Sequence, residues 1–181
     1  MKAVELAKRK PNRLPEYDYS QAGYYFITVC TKDKRPVLWA PAIYGSTLQT
    51  GDVGADIIRP IQAPSLSEIG SMVEQAIREI PAHYSNVRLD KYVVMPNHIH
   101  LILALDQSVG RMISAPTKSL STIVGSMKRY TSKMVGLHLW QKSFHDHVIR
   151  NETDYLRIWA YIDTNPLKWR EDRYFEPTER R

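Results

Sequence analysis

The spacing of hydrophobic and polar positions predicts four short strands. The segment "GYYFITVCT" at residues 23–31 is rich in aromatic and β-branched residues, which is typical of a strand. The segments "NVRLDKYVVM" and "HIHLILAL" predict two more, and Pro96 and Asn97 between them are turn residues. These two strands are therefore expected to form a tight antiparallel hairpin. A fourth strand is predicted in "SFHDHVI".

Three other stretches have the spacing of amphipathic helices. In the first, Ser65 and Glu68 have capping-box spacing, and apolar residues recur at helical intervals until Pro81. The second, "TKSLSTIVGSMKRYTSKMV", has an apolar side that consists of Leu120, Ile123, Val124, Met127 and Met134. The third, "NETDYLRIWAYIDTN", is expected to begin after Asn151 as a cap and to end at Pro166.

The resulting order, β-α-β-β-α-β-α, predicts the fold class. A βαββαβ order indicates an α+β protein with a ferredoxin-like antiparallel sheet and two helices on one face. The other face is then open for the final helix or for a ligand. Residues 40–64 are rich in glycine and proline, so we expect a hairpin or long loop inserted at the sheet edge. Many functions use this fold, so the fold alone names none.

Length and composition limit the class of protein further. A chain of 181 residues is expected to form one domain, residues 1–181, with a core of its own. No apolar run approaches the roughly 18 residues of a membrane span, so no membrane partner is expected. Cys30 is the one cysteine, and the N-terminus lacks the apolar centre of a signal peptide. The cytoplasm is the expected location.

The charge is consistent with a polyanionic partner. The net charge is +6 and the pI is about 9.4, which fits nucleic acid but also fits a protein that is basic only for solubility. Residues 1–20 are predicted to be a basic N-terminal arm, and the second helix carries a further basic group. The candidate phosphate contacts are Lys8, Arg9, Lys10, Arg13, Lys118, Lys128, Arg129 and Lys133.

The first candidate for chemistry is the pair His98 and His100. Residues i and i+2 of a strand share a face, so both imidazoles point the same way while Ile99 points into the core. Neutral imidazole is a common metal ligand, but two ligands are too few to hold an ion. The alternative is that both histidines are solvated or hydrogen-bonded on an open sheet face.

The last helix offers the groups that such a site would need. Tyr161 and Asn165 share one helix face, and Ile158 and Ile162 beside them would dock the helix against the sheet. The phenol and the amide would then lie over the face to which the histidines point. Asn165 can supply a carbonyl oxygen to an ion, and Tyr161 can supply a nucleophile.

A rival pair occurs in "FHDHV", where His145 and His147 are also two residues apart. No helix-borne partner is evident for a metal site there, so we interpret this pair as an element beside the metal site or the substrate. The residues predicted to support the metal ligands from behind are His147, Asp154 and Arg157.

Four segments resemble one family over most of the chain. They are "DYSQAGYYFITVCT", "VVMPNHIHLIL", "IVGSMKRYTSKM" and "WQKSFHDHVIRNETDYLRIWAYIDTNPLKW". Together they resemble the single-tyrosine HUH transposases, in particular the REP-associated tyrosine transposases and their insertion-sequence relatives. The resemblance implies that His98 and His100 are paired ligands of Mg²⁺ or Mn²⁺, that Asn165 completes the site, and that Tyr161 is the nucleophile. It implies no organic cofactor.

The resemblance also implies a reaction and a partner. The expected activity is metal-dependent cleavage and joining of single-stranded DNA at REP-like hairpins, through a covalent 5′-phosphotyrosine, in DNA transposition. A monomer is expected rather than a dimer that exchanges its last helix, and a place near the nucleoid follows from the DNA partner.

Other classes of protein fit the sequence less well. A histidine-triad hydrolase would need a third alternating histidine, where Leu101 and Ile102 follow His100. A two-histidine phosphoesterase would need paired His-x-Thr or His-x-Ser motifs, which are not present. The alternative that stays open is a ferredoxin-like protein that binds nucleic acid without chemistry, since it needs neither Tyr161 nor the histidine pair.

Overall fold

The structure is a computed structural model that describes residues 17–40, 65–106 and 118–175. Its strands are β1 (Gly23–Cys30), β2 (Val87–Val94), β3 (His98–Leu105) and β4 (His145–Ile149). Its α-helices are α1 (Glu68–Arg78), α2 (Ile80–His83), α3 (Leu120–Val135) and α4 (Glu152–Thr164), with 3₁₀ helices at Lys32–Lys34 and Asn165–Glu171. Two predicted features lie outside the described residues: the insert from residue 41 onward, and the basic arm with Lys8, Arg9, Lys10 and Arg13.

The four strands form one antiparallel sheet in the spatial order β2-β3-β1-β4. The predicted α+β class and the predicted β2–β3 hairpin are confirmed, and the N–H of Met95 closes the turn on the carbonyl of His98 at 2.8 Å. Strand β1 lies between β3 and β4, so Thr28 is opposite His100 on one side and opposite His145 on the other.

The two faces of the sheet are covered by different helices. Helices α1 and α3 cover one face, with a core that includes Ile27, Val29, Val73, Ile77, Ile99, Leu101, Leu120, Ile123 and Val124. Helix α4 covers the other, where Ile158 and Ile162 pack with Ile102 and Ile149 as predicted. Because alternate residues of a strand point to opposite faces, His98 and His100 lie on the α4 side. All of β3 is buried, since both faces are covered.

The start of α1 differs from the prediction. The cap is Ser67, whose hydroxyl accepts from the N–H of Gly70 at 3.0 Å, so the predicted capping role of Ser65 is wrong. The chain is still extended at Leu66, which forms a β-bridge with Trp39, so the helix cannot begin earlier. Gly70 is required here because a Cβ would come within 2.0 Å of the Leu38 carbonyl oxygen.

Helix α3 buries most of the side predicted to be apolar. It begins after Ser119, which accepts from the N–H of Thr122, and ends at Gly136, whose φ of 70° favours glycine. Met134 was predicted on the buried side, but it is 55% exposed, in the last turn of the helix.

Pro81 and Pro166 each lie near the start of a short helix that follows a longer one. Pro81 lies in the first turn of α2, where its missing N–H costs nothing. Pro166 ends α4 as predicted but begins the 3₁₀ helix, which turns the chain back toward the sheet. The Nδ2 of Asn97 then donates to the Tyr174 carbonyl at 2.8 Å and holds the returning segment over β3. Within the described ranges no helix is long and apolar enough to cross a membrane.

Candidate active site

His98 and His100 lie side by side on β3 and are fully buried. Their Nε2 atoms are 3.0 Å apart and their ring centroids are 4.5 Å apart. The β-strand places both rings on one face, and the segment that follows α4 covers them, with the Tyr174 ring 4.6 Å from that of His98. The two imidazoles therefore present nitrogen atoms to one enclosed point.

Hydrogen bonds behind the rings determine which nitrogens point inward. The Nδ1 of His98 is 2.9 Å from Oδ1 of Asn97, and the Nδ2 of Asn97 is already committed to Tyr174. Oδ1 must then accept, so Nδ1 of His98 carries the hydrogen and Nε2 carries the lone pair. The Nδ1 of His100 is held in the same way, 2.9 Å from the hydroxyl of Thr28.

Asp172 is a third potential ligand, which no pattern in the sequence predicted. One ligand atom from each of His98, His100 and Asp172 lies within 4.8 Å of the others. The N–H of Tyr174 donates to Asp172 Oδ1 at 2.7 Å, which orients the carboxylate. In the sequence this residue belongs to the charged run "KWREDR", and only the 3₁₀ helix after Pro166 brings it to the histidines.

The three residues fit a divalent cation. Burial lowers the pKa of His98 to about 3 and lowers the pKa of His100 well below its ordinary value, so both rings are neutral. A neutral imidazole is the form that binds a metal. The two inward nitrogens are 3.0 Å apart, and at least one has its lone pair inward. With the Asp172 carboxylate beside them, they favour a positive charge between the three residues.

Tyr161 lies next to this cluster, on the exposed side. Its hydroxyl donates to Oδ2 of Asp172 at 3.0 Å and is 3.3 Å from Nε2 of His100. Burial, with the Asp172 carboxylate beside it, raises the pKa of Tyr161 to about 12, so the phenol is protonated. Its ring is still 38% exposed and faces the cleft described below.

Asn165 is buried one helical turn after Tyr161. Its Nδ2 atom has no hydrogen-bond partner among the described residues, and its amide offsets part of the rise in the Tyr161 pKa. The unpaired Nδ2 is a donor, so it can bind an acceptor oxygen but not a cation. The role of Asn165 as a metal ligand stays a prediction.

His147, Asp154 and Arg157 form a cluster of their own. The Nε2 of His147 is 2.6 Å from Oδ2 of Asp154, and the guanidinium of Arg157 is 2.7 Å from Oδ1 of the same carboxylate. The rings of His98 and His100 are instead hydrogen-bonded from behind by Asn97 and Thr28. Among the described residues no hydrogen bond joins this cluster to His98 or His100, and its supporting role stays a prediction.

An open cleft of about 550 Å³ connects the two groups of residues. It is lined by Phe26, Thr28, His100, His145, Asp146, His147, Arg157, Ile158, Tyr161 and Arg173. Two of these side chains are arginines, so the cleft offers positive charge beside the Tyr161 hydroxyl. Sequence reasoning missed Arg173 for the same reason that it missed Asp172.

The basic residues of α3, with Lys118 just before the helix, lie on the other side of the sheet. Lys118, Arg129 and Lys133 are exposed there. Lys128 is half-buried, and its ammonium donates to the carbonyls of residues 141, 142 and 143 at 2.6, 3.2 and 3.0 Å. All three of its N–H donors are thereby used inside the protein, which counts against the predicted phosphate contact at Lys128.

Comparisons with known proteins give a family and a fold. The profile of the family described as "Transposase IS200 like" matches residues 65–165. An uncharacterized protein of Haemophilus influenzae is 29% identical over 92% of this chain and 93% of its own. The REP-associated tyrosine transposase of Escherichia coli is 31% identical over 44% of each chain. A solved structure of a REP-associated tyrosine transposase bound to a REP hairpin superposes with a TM-score of 0.56 at 22% identity, covering 87% of this chain and 73% of that one.

Proposed function

Because the chain belongs to the IS200-like transposase family, we propose that it cleaves and rejoins single-stranded DNA with Tyr161 as the covalent nucleophile. The observation that carries this proposal is the position of the Tyr161 hydroxyl, 3.3 Å from Nε2 of His100 and 3.0 Å from Asp172. A nucleophile in contact with a buried metal-ligand set, at the floor of an open cleft, fits phosphoryl transfer.

The residues of the site have different roles in the reaction. His98 and His100, with Asp172 and Asn165, would hold Mg²⁺ or Mn²⁺, which supplies polarisation of a phosphoryl oxygen and orientation of the phosphodiester. The Tyr161 oxygen attacks phosphorus, and its proton passes to Oδ2 of Asp172, which already accepts the hydroxyl hydrogen bond. A 3′ hydroxyl is released and a 5′ phosphate stays on Tyr161, so strands can later be joined without ATP.

We propose single-stranded DNA hairpins of the REP type as the substrate. Arg157 and Arg173 in the cleft suit a phosphodiester backbone. The superposed transposase was solved with a REP hairpin, which is a property of that protein and motivates the choice of probe here. Lys118, Arg129 and Lys133 are proposed to contact a part of the hairpin that extends past the sheet.

Two further assignments belong to this proposal. The element order β-α-β-β-α-β and the sheet order β2-β3-β1-β4 support a ferredoxin-like core. Helix α4 packs on the sheet of its own chain through Ile158 and Ile162, which supports an active site completed within a monomer. A protein that only binds nucleic acid is the competing function, and nothing in such a protein requires two buried histidines beside an exposed tyrosine.

A denaturing gel tests the proposal directly. The protein is incubated with end-labelled single-stranded hairpin DNA from its own genomic flanks and with Mn²⁺. We expect a slowly migrating covalent adduct with the wild type and none with Tyr161→Phe or His98→Ala. Hairpin binding without any adduct would favour the binding-only function, and an adduct that survives in Tyr161→Phe would mean that another residue is the nucleophile.

A further inference from the structure

We propose that His147, oriented by Asp154, is the acid that protonates the leaving 3′ oxygen during cleavage and the base that takes that proton back during strand joining. The inference rests on the proposed function and gives its active site a second catalytic side chain. Asp154 would be the positioning residue of this pair.

The geometry of the pair is that of an oriented acid–base group. The Nε2 of His147 is 2.6 Å from Oδ2 of Asp154, while Arg157 occupies Oδ1 at 2.7 Å, so both carboxylate oxygens are fixed. The hydrogen bonds from Arg157 and His147 lower the pKa of Asp154, which keeps the carboxylate ionised. A carboxylate held against one ring nitrogen fixes the orientation of the imidazole.

The second nitrogen of His147 is available to the substrate. Nδ1 has no hydrogen-bond partner among the described residues, and the side chain is 50% exposed and lines the cleft. A proton on Nδ1 can therefore be donated into the cleft while Nε2–H stays on Asp154. A histidine that served only to join β4 to α4 would not need to line the cleft.

The acid for the leaving group must approach phosphorus from a different side than the nucleophile. In an in-line displacement the leaving oxygen is on the far side of phosphorus from the attacking oxygen, so its proton donor must lie across the cleft from Tyr161. His147 is opposite Phe26 in the β1–β4 register, and the Phe26 ring is 6.1 Å from the Tyr161 ring. His147 and Tyr161 thus line one cleft from two different elements, with Phe26 near both.

Cleavage exchanges one bond between phosphorus and oxygen for another. The bond between the Tyr161 oxygen and phosphorus forms while the bond from phosphorus to O3′ breaks. The electron pair of the broken bond stays on O3′, which takes the proton from Nδ1 of His147, and the phenol proton passes to Asp172. Strand joining reverses each transfer, because the 3′ hydroxyl gives its proton to Nδ1 and Tyr161 recovers its own.

A substrate with sulfur in place of the leaving O3′ distinguishes a catalytic acid from a residue whose role is only structural. A thiolate leaves without being protonated, so loss of the acid slows only the oxygen substrate. The cleavage site is first mapped with the wild type, and single-turnover adduct formation is then measured on the oxygen and sulfur hairpins in Mn²⁺. The variants are His147→Gln, Asp154→Asn and, as a matched control, His145→Gln. The His145 side chain lines the same cleft but has no hydrogen bond among the described residues.

We expect His147→Gln to slow the oxygen substrate by roughly a hundredfold or more and to cleave the sulfur substrate at close to the wild-type rate. Asp154→Asn should show the same selective loss to a smaller extent. His145→Gln should change both rates by one factor, which leaves their ratio at the wild-type value. If circular dichroism shows that His147→Gln is unfolded, the ratio in Asp154→Asn decides.

Equal slowing of both substrates, or no slowing of either, would overturn the role of His147 while leaving Tyr161 as the nucleophile. An absence of adduct from the wild type on both substrates would instead contradict the proposed function, and the inference would fail with it. The two failures are therefore distinguishable in one experiment.

Discussion

The Nδ1 atom of His98 lies 2.9 Å from Oδ1 of its neighbour Asn97, and this hydrogen bond turns the lone pair of Nε2 toward His100. The Pro96-Asn97 turn thus both reverses the chain and fixes the tautomer of a proposed metal ligand. Asn97 is therefore expected to affect metal affinity as well as the turn.

Replacement of this amide should weaken metal binding. Asn97→Ala leaves Nδ1 of His98 without its acceptor, and loss of such a partner typically costs about 10–100-fold in metal affinity. Isothermal titration with Mn²⁺ measures the change. Asn151→Ala is the control, because it removes the cap of α4 at a cost of about 1 kcal/mol and should leave Mn²⁺ affinity unchanged. Equal affinity of Asn97→Ala and wild type would show that Asn97 does not orient the ligand.

The buried histidines should make the metal-free protein sensitive to acid. Burial holds the pKa of His98 at about 3 and that of His100 well below its ordinary value, while in the unfolded chain both titrate near 6.5. Below pH 6.5 the unfolded state therefore binds more protons, and the free energy of unfolding falls as the pH falls. Each histidine contributes up to about 1.4 kcal/mol per pH unit in this window.

Urea unfolding in the presence of a chelator, from pH 7 down to pH 4.5, tests this dependence. His100→Gln should show a shallower slope than the wild type, and His138→Gln, at an exposed position, should follow the wild type. Parallel curves for all three proteins would argue against neutral buried rings.

The contribution of helix α4 to the free energy of unfolding should come from a single buried face. Ile162 is 1% exposed and packs with Ile102 and Ile149, so Ile162→Ala leaves a cavity and should cost about 2–5 kcal/mol of unfolding free energy. Leu156 is on the same helix but 56% exposed, and Leu156→Ala should change the stability by less than about 0.5 kcal/mol. Similar losses in the two variants would mean that α4 does not dock as described.

Substitution of two lysines of α3 should distinguish a lysine with a structural role from one that contacts DNA. Lys128→Met removes the donor of three carbonyls and should destabilise the protein by about 1–3 kcal/mol. Lys133→Met should leave the melting temperature nearly unchanged but weaken hairpin binding, with a salt dependence reduced by about one phosphate contact. A stable Lys128→Met protein with weakened DNA binding would show that this ammonium is available to phosphate after all.

Local sequence signals were sufficient for much of the fold and part of the site. Alternation along β3 placed His98 and His100 on one face, and helical spacing placed Tyr161 beside Ile158 and Ile162. Such signals succeed because both periodicities are properties of neighbouring residues. They fail at element ends, where the bridge between Trp39 and Leu66 moved the start of α1 to Ser67.

The contacts that the sequence could not reveal depend on the path of the chain between elements. Asp172 reaches the histidines because the 3₁₀ helix after Pro166 turns the chain back, and no periodicity encodes that turn. His147 pairs with Asp154 because the end of β4 and the start of α4 meet at the Arg150-Asn151 corner. Charge patterns were equally incomplete, since they grouped Lys128 with exposed lysines although its ammonium is bound inside the protein.

The most direct test of the central claim is to locate the DNA on the chain by peptide mass spectrometry. The adduct formed with the hairpin and Mn²⁺ is digested with nuclease and trypsin, which releases residues 158–168 as a peptide whose one tyrosine is Tyr161. We expect a nucleotide linked through its phosphate to this peptide, and no such mass on residues 151–157, which carry Tyr155. A nucleotide on any other tyrosine, with peptide 158–168 unmodified, would contradict the assignment of Tyr161 as the nucleophile.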